Sequence, residues 1–240
     1  MKLCFLGTRG EIDARTERHY RHTSLLVRYY RTQVMIDCGA DWLGKLVEIK
    51  PDAVVLTHAH PDHANGLSEG ANCPVYATAE TLDYIKAFPI KDRREIRPRE
   101  PFSIGRIEFE AFAVEHSTRC PAVGFRVAAG RPSIFYSPDV VYIHERAEAL
   151  RDVRLYVGDG AALERSMVRK RGDRLIGHAP VRTQLTWCEK ENVPEALVTH
   201  CGSQIVAGDE DEMMKRLQTL ADERGQSASI AYDGLERTLR

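Results

Sequence analysis

Six residues constrain this chain more than any others: His58-Ala59-His60-Pro61-Asp62-His63. They follow Ala53-Val54-Val55-Leu56-Thr57, a short apolar run of the kind that forms a strand buried on both faces. Extended backbone leaving that strand points His58 and His60 the same way, because side chains two apart share a face. Pro61 then turns the chain and aims Asp62 and His63 at a second position nearby. One short loop can therefore supply ligands for two metal ions. Imidazole nitrogen and carboxylate oxygen bind zinc and similar ions at about 2.0–2.2 Å. The bland alternative is a polar loop that happens to contain histidines. Histidine is scarce here, with 9 in 240 residues, so three in this one loop are hard to obtain by chance.

If the loop is a metal site, further ligands should stand at other strand ends. His116 follows Phe112-Ala113-Val114-Glu115, Asp139 follows Ile134-Phe135-Tyr136-Ser137-Pro138, and His200 follows Ala196-Leu197-Val198-Thr199. Each polar residue closes an apolar run, which is where open sheets place function. Singly, each reads as a turn residue. Together with the first loop they read as one site.

Composition sets limits on the rest. A chain of 240 residues with 43% hydrophobic and 29% charged residues fits one well-buried domain, expected over residues 1–240. The formal net charge of -1 gives no global attraction to nucleic acid or membrane, so any polyanion has to meet a local patch. No run approaches the roughly 20 apolar residues of a membrane span. The six cysteines form no Cys-x-x-Cys pair and are expected to be reduced, in a cytoplasmic protein.

Apolar patterning gives the order of elements. Strands are expected at Leu3–Leu6, at Thr23–Tyr30 and Gln33–Asp37 around an Arg31-Thr32 turn, and at Ala53–Thr57 and Pro74–Thr78. Ile104–Val114 gives one or two more. Gly124–Ala128 and Ser133–Ser137 pair around Ala129–Pro132, and Leu155–Val157 and Ala196–Thr199 are buried strands. Helical period marks Ala79–Ala87, Val181–Glu191 and Asp209–Arg224. Ser229–Tyr232 and Leu235–Thr238 are expected to close the chain as a hairpin around Asp233-Gly234. An α/β architecture of two face-to-face sheets with outer helices buries this many apolar strands.

At these residues the chain resembles the metallo-β-lactamase superfamily of hydrolases. The match runs over nearly the whole chain: Asp37 after a strand, the His-x-His-x-Asp-His run at 58–63, His116, Asp139 and His200, in the family's order. The resemblance implies an αββα sandwich of two mixed sheets with the site at one edge. It implies two divalent metal ions, zinc by preference, with manganese or iron as alternatives. His58, His60 and His116 would hold one ion. Asp62, His63 and His200 would hold the other, with Asp139 bridging. Asp37 would orient the ligands from behind.

Within the superfamily the likeness is closer to the ribonuclease Z and cyclic phosphodiesterase branch. It is carried by Leu6-Gly7-Thr8, by Arg21 to Leu26, by His116 with Pro121 to Arg126, and by Ile230 to Gly234. Gly177-His178 before a helix also resembles these enzymes, which makes His178 a candidate proton donor or phosphate contact; a capping histidine is the alternative. Asp62 and His178 are thus the candidate catalytic residues. Two departures stand out. Gly158-Asp159-Gly160-Ala161 replaces the His-Glu-Ala-Thr segment of ribonuclease Z, and the long arm that grips tRNA is not evident. Pro138 also replaces the glycine before the bridging aspartate.

The implied reaction is hydrolysis of a phosphodiester, in nucleic acid or a cyclic nucleotide, by a water shared and deprotonated between two metals about 3.5–4 Å apart. Such a transition state needs extra positive charge. Candidates are Arg9, Arg15, Arg18 and Arg21 in the first loop, and Arg165, Arg169, Lys170, Arg171 and Arg174 before His178; solvated loop charge is the alternative for both runs. His19, His22 and His144 are left structural, with His22 the most suspect. A thioesterase or lactonase on the same scaffold would have a more apolar pocket. Mononuclear iron chemistry fits poorly with a filled second ligand set, and a non-catalytic metal-stabilised module fits poorly with every ligand position filled. A homodimer is compatible with this reading.

Overall fold

The runs Leu25-Leu26-Val27, Val34-Met35-Ile36 and Ile134-Phe135-Tyr136 are apolar at every position, so each needs cover on both faces of its sheet. The computed structural model, which describes residues 1–240, provides that cover with four layers. The first sheet contains β1 (Lys2–Gly7), β2 (Ser24–Tyr29), β3 (Thr32–Ile36), β4 (Ala53–Val55), β5 (Val75–Ala77) and β6 (Arg93–Glu95) in chain order. The second is built from β7 (Phe102–Ile104), β8 (Ile107–Glu115), β9 (Ala122–Ala128), β10 (Ser133–Tyr136), β11 (Tyr142–Ile143), β12 (Leu155–Asp159), β15 (Glu195–Thr199) and β16 (Ser227–Ile230). A separate two-stranded ribbon pairs β13 (Arg169–Arg171) with β14 (Arg174–Ile176), and β17 (Glu236–Thr238) returns to the edge of the first sheet beside β1.

Both sheets are mixed. In the first, β1–β2–β3 are antiparallel and β3–β4–β5–β6 parallel. In the second, β8–β9–β10 are antiparallel and β10–β12–β15–β16 parallel. Between the sheets lie Leu25, Val27 and Ile36 from one and Phe125, Ile134 and Tyr136 from the other. Leu26 and Met35, one residue out of phase, face the opposite way and pack with Trp42, Leu46 and Leu67. Phe135 and Tyr156 likewise face outward beneath α5 (Val181–Lys190) and α7 (Glu210–Asp222), meeting Leu185 and Leu217. Period-two geometry thus divides each apolar run between two cores. The αββα expectation holds. α1 (Leu46–Ile49), α2 (Pro61–Ala64), α3 (Ala79–Tyr84), α4 (Arg146–Ala149) and α6 (Ser203–Val206) are short. Asp209 caps α7 by accepting from the Glu212 amide at 2.9 Å.

The expected closing hairpin does not form. β16 pairs in parallel with β15 in the second sheet, and β17 pairs antiparallel with β1 in the first. The Asp233-Gly234 turn is a bridge between sheets, held by the first loop: Asp233 accepts from Thr8 Oγ1 at 2.8 Å and from the Arg21 amide at 2.9 Å. Gly234 donates its amide to Phe5 O at 2.7 Å. These long-range bonds outweigh the local turn signal. The β2–β3 turn also shifts by one residue: Tyr29 pairs with Thr32, and Tyr30 takes φ 52. All six cysteines are free thiols, and no helix is long and apolar enough to cross a membrane.

The first loop buries two histidines that the site does not use. His19 Nδ1 donates to Thr8 Oγ1 at 2.8 Å, and His22 lies against Asp41. Burial, with Arg18 beside His19 and Arg9 beside His22, pushes each imidazole down to about 4. An unfolded chain protonates these rings near pH 6.5, and the folded chain only near pH 4. Between these values the unfolded state binds more protons, so stability falls as pH drops through that window. Urea unfolding of the wild type should show its midpoint falling from about pH 6.5 to about pH 4. His19→Gln should flatten part of that slope; an unchanged slope would contradict the assignment.

Candidate metal centre

The site forms where the C-terminal ends of strands from both sheets meet. β4 ends at Val55, and the chain bends at Thr57 before His58. His60, at φ -63 and ψ 152, is the last extended residue before α2, and Pro61 begins that helix. Proline suits this position because its missing N–H has no intrahelical partner there. The single turn of α2 carries Asp62 and His63 round to the same side as His58. Gly39 allows this close approach, since a Cβ there would stand 1.9 Å from Asp62 O.

The structure brings together every ligand expected from sequence. Ligating atoms of His58, His60 and His116 form one compact group, and those of Asp62, His63, Asp139 and His200 form a second, each within 4.8 Å. Asp139 faces both. Its Oδ2 lies 2.6 Å from His63 Nε2 and 3.3 Å from His200 Nε2. Its Oδ1 lies 3.5 Å from His116 Nε2 and 3.4 Å from His178 Nδ1. Asp62 Oδ2 lies 3.2 Å from His63 Nε2 and 3.1 Å from His200 Nε2. His116 Nε2 stands 3.2 Å from His60 Nδ1.

The outer nitrogens are fixed. His63 Nδ1 donates to Asp37 Oδ2 at 2.9 Å, and Asp37 Oδ1 accepts from the Thr57 amide at 2.8 Å. His58 Nδ1 lies 3.0 Å from Thr57 Oγ1, and His116 Nδ1 donates to Gly177 O at 3.0 Å. Asp37 and His200 both sit in the left-handed backbone region, at φ 64 and 51. Such strain concentrates where surrounding structure over-determines a residue.

These side chains fit a cation. His58 Nε2, His63 Nε2 and Asp139 Oδ2 are buried with no hydrogen-bond partner. Buried polar atoms are rarely left this way, and an ion bound by nitrogen and oxygen donors would satisfy all three. Burial pushes His58 well below the ordinary imidazole range, so its nitrogen keeps a lone pair for a metal. Burial would raise Asp62 and Asp139, yet His63 and His200 beside Asp62, and His200 and His116 beside Asp139, hold both well below the usual carboxylate range. Both carboxylates are therefore ionised, and they in turn pull His63 and His200 up.

Asp159 was not expected as a functional residue. At the end of β12 it is fully buried, accepting from the Val140 amide at 3.0 Å, the Ala161 amide at 2.9 Å and His178 Nδ1 at 2.8 Å. It obeys the same rule as Asp139 and His200, a polar residue closing a buried strand, and that signal was available. Burial alone would lower the His178 imidazole, but the Asp159 carboxylate lifts it to about 9.

The cluster opens into a cleft of about 680 Å³. Ile12, Ala161, Ala162 and Met167 form its apolar wall, and Glu11 and Arg165 add charge beyond the histidines and aspartates. The first-loop arginines are taken up elsewhere. Arg9 is buried and paired with Asp41 at 2.7 Å; Arg15 pairs with the same carboxylate at 3.2 Å. Arg18 pairs with Glu210 at 2.9 Å, and Arg21 stacks over Trp42. His22 is packed among them, outside the cleft lining, and His144 lies 3.5 Å from Glu115.

Fold and residue cluster together define a metallo-β-lactamase scaffold, and sequence comparison agrees. The chain belongs to the β-lactamase superfamily domain family, whose model matches residues 32–201. A ribonuclease Z from Methanopyrus kandleri is 30% identical over 156 residues, 58% of this chain and 53% of that protein. The chain thus aligns with about half the length of that relative. The metallo-β-lactamase fold protein YhfI from Bacillus subtilis superposes with a TM-score of 0.78 at 19% identity, covering 98% of each chain. A diphosphatase of the PhnP family superposes with a TM-score of 0.71 at 19% identity, over 100% of this chain and 98% of that one.

The clamp made by Asp37 predicts a measurable loss. Asp37→Ala frees the His63 ring and should weaken metal binding about 10–100-fold in chelator competition. Binding as tight as wild type would show that His63 is oriented without it.

Proposed function

We propose that this domain is a binuclear metal-dependent phosphodiesterase. The observation that carries the reading is Asp139, whose two oxygens face two separate ligand groups across a solvent-open cleft. His58, His60 and His116 would hold one ion; Asp62, His63 and His200 would hold the other; Asp139 would be shared. Two divalent ions bound there supply positive charge to a phosphoryl oxygen and lower the pKa of water toward neutrality. The nitrogen and oxygen donor set suits zinc, manganese or iron. The names of a ribonuclease Z and a PhnP-family diphosphatase among the similar proteins support phosphorus chemistry.

The chain's own residues supply the remaining steps. His178 holds a proton on Nδ1 against Asp159 Oδ2, which leaves Nε2 as its second proton-bearing atom. His178 lines the cleft, and from there Nε2 donates to the departing oxygen. Asp62, ionised between His63 and His200, accepts from attacking water and orients it. Arg165 offers the cleft's one guanidinium to a non-bridging oxygen.

The apolar wall of Ile12, Ala161, Ala162 and Met167 favours a second reading, a thioesterase or lactonase on the same scaffold. Parallel assays of a phosphodiester, a thioester and a lactone decide between the two.

His60→Ala should abolish hydrolysis of bis(p-nitrophenyl) phosphate while circular dichroism stays native. Full activity in that variant, or in chelated protein, would sink the binuclear reading. His178→Gln should lower kcat by about 10²–10⁴-fold for diesters with a poor alkoxide leaving group. It should matter much less for p-nitrophenolate, which leaves without a proton. An equal loss on both substrates would remove the proton-donor role.

A further inference from the structure

Unlike the first-loop arginines, a second set of cations remains free. Residues 165–174 contain Arg165, Arg169, Lys170, Arg171 and Arg174 against the single acid Asp173, in a chain whose net charge is -1. Arg165 lines the cleft, while Arg169, Lys170 and Arg171 make up β13 and Arg174 opens β14. The four ribbon cations are exposed and, in contrast to Arg9, Arg15 and Arg18, make no ion pair with any carboxylate of the chain. Glu164, next to Arg165, is engaged by Arg216 at 2.7 Å.

The ribbon works against its own stability. Arg171 stands directly across from Arg174. Like charges in opposed positions destabilise a strand pair, and an isolated two-stranded ribbon is marginal to begin with. Asp173 lies in the turn between them but forms no ion pair with either, and an anion laid across the ribbon would relieve the repulsion.

Its base is tied to the metal centre. Met167 and His178 flank the ribbon in sequence, and both line the cleft. The Gly177 amide donates to His116 O at 2.9 Å, and the Leu175 amide donates to Glu115 Oε2 at 2.8 Å. Gly177 has φ +103, and a Cβ there would stand 2.2 Å from Met167 O, so the two ends of the ribbon close tightly at the cleft rim.

We propose that the β13–β14 ribbon binds the phosphate backbone of a single-stranded polynucleotide whose scissile diester occupies the cleft. This rests on the phosphodiesterase reading and specifies its substrate. A cleft of about 680 Å³ is the size of a small-molecule site, so it takes the reacting unit and excludes a duplex. The rest of the strand leaves past Arg165, and a ribbon of three residues per strand spans about 10 Å, enough to follow it over adjacent phosphates.

The test is fluorescence anisotropy of a labelled dodecamer of thymidylate with phosphorothioate linkages, bound to metal-loaded protein across about 50–200 mM NaCl. R169Q/K170Q/R171Q/R174Q should weaken binding at least about 10-fold at the low-salt end. It should also reduce the slope of log K against log salt by about two to three, since each single-strand phosphate contact contributes about 0.7. K190Q/K215Q, on the helices α5 and α7, tests general loss of positive charge and should leave the slope as it is. Wild-type protein that fails to bind the oligonucleotide, or a ribbon variant with native circular dichroism and an unchanged slope, would overturn the proposal. Equal or tighter wild-type binding to phosphatidylserine vesicles or to poly-glutamate would overturn it in favour of a membrane or an acidic protein. Turnover of bis(p-nitrophenyl) phosphate, which carries one phosphate, reports on the metal centre alone. Its absence in wild type would sink the phosphodiesterase reading while the anisotropy still reports on the ribbon.

Discussion

The carboxylate of Asp139 is almost wholly buried, with five imidazoles, those of His58, His63, His116, His178 and His200, within 4.0 Å of it. A charge in that position is tolerable only when its surroundings are arranged for it. Yet its Oδ2 has no hydrogen-bond partner, and neither do the Nε2 atoms of His58 and His63 that face it. Three buried polar atoms left without partners are costly, and a cation among them would satisfy all three. The same atoms that are costly to bury alone become satisfied when metal is bound. Metal bound there would couple the stability of the two sheet ends to metal occupancy.

The supports around the site come from many parts of the chain. Asp37 follows β3, Thr57 follows β4, Gly177 follows β14, and each fixes the far side of a different histidine ring. Neither sheet alone contains the site. His58, His60, Asp62 and His63 come from the first, while His116, Asp139 and His200 come from the second. The sheets must pack in one register for the ligands to converge. The inter-sheet core of Phe5, Ile36, Phe125 and Tyr136 is what sets that register. The bridge through Asp233, Thr8 and Arg21 adds a polar lock between the chain's two ends.

Much of this was legible because it follows from local rules. Uniform apolar runs implied strands covered on both faces, and polar residues closing those runs located His116, Asp139 and His200. Asp159 closes a run in the same way, but as a lone carboxylate it was read as a departure from the family pattern. Only its bond to His178 shows its part. Two other features depend on long-range partners that local sequence does not contain. The Asp-Gly turn near the C-terminus looks like a hairpin until Thr8 and the Arg21 amide claim Asp233. The first-loop arginines look like phosphate ligands until Asp41 and Glu210 claim Arg9, Arg15 and Arg18.

The two arginine groups differ in what they bond to. Arg9 is buried, donates to the carbonyls of Tyr20, Gly10 and Ile12, and pairs with Asp41. A guanidinium so occupied, with four of its five N–H donors taken, organises the loop that carries Gly10 and Glu11 to the cleft. The ribbon cations make no such bonds and stand in water, where a partner phosphate can compete for them. An enzyme acting on an anionic substrate faces opposing demands. Its metal centre must be dry and preorganised, whereas the charge that gathers substrate must stay solvated until binding. In this chain the buried meeting point of two sheets suits the first demand. The ribbon, which adds nothing to either core, would suit the second.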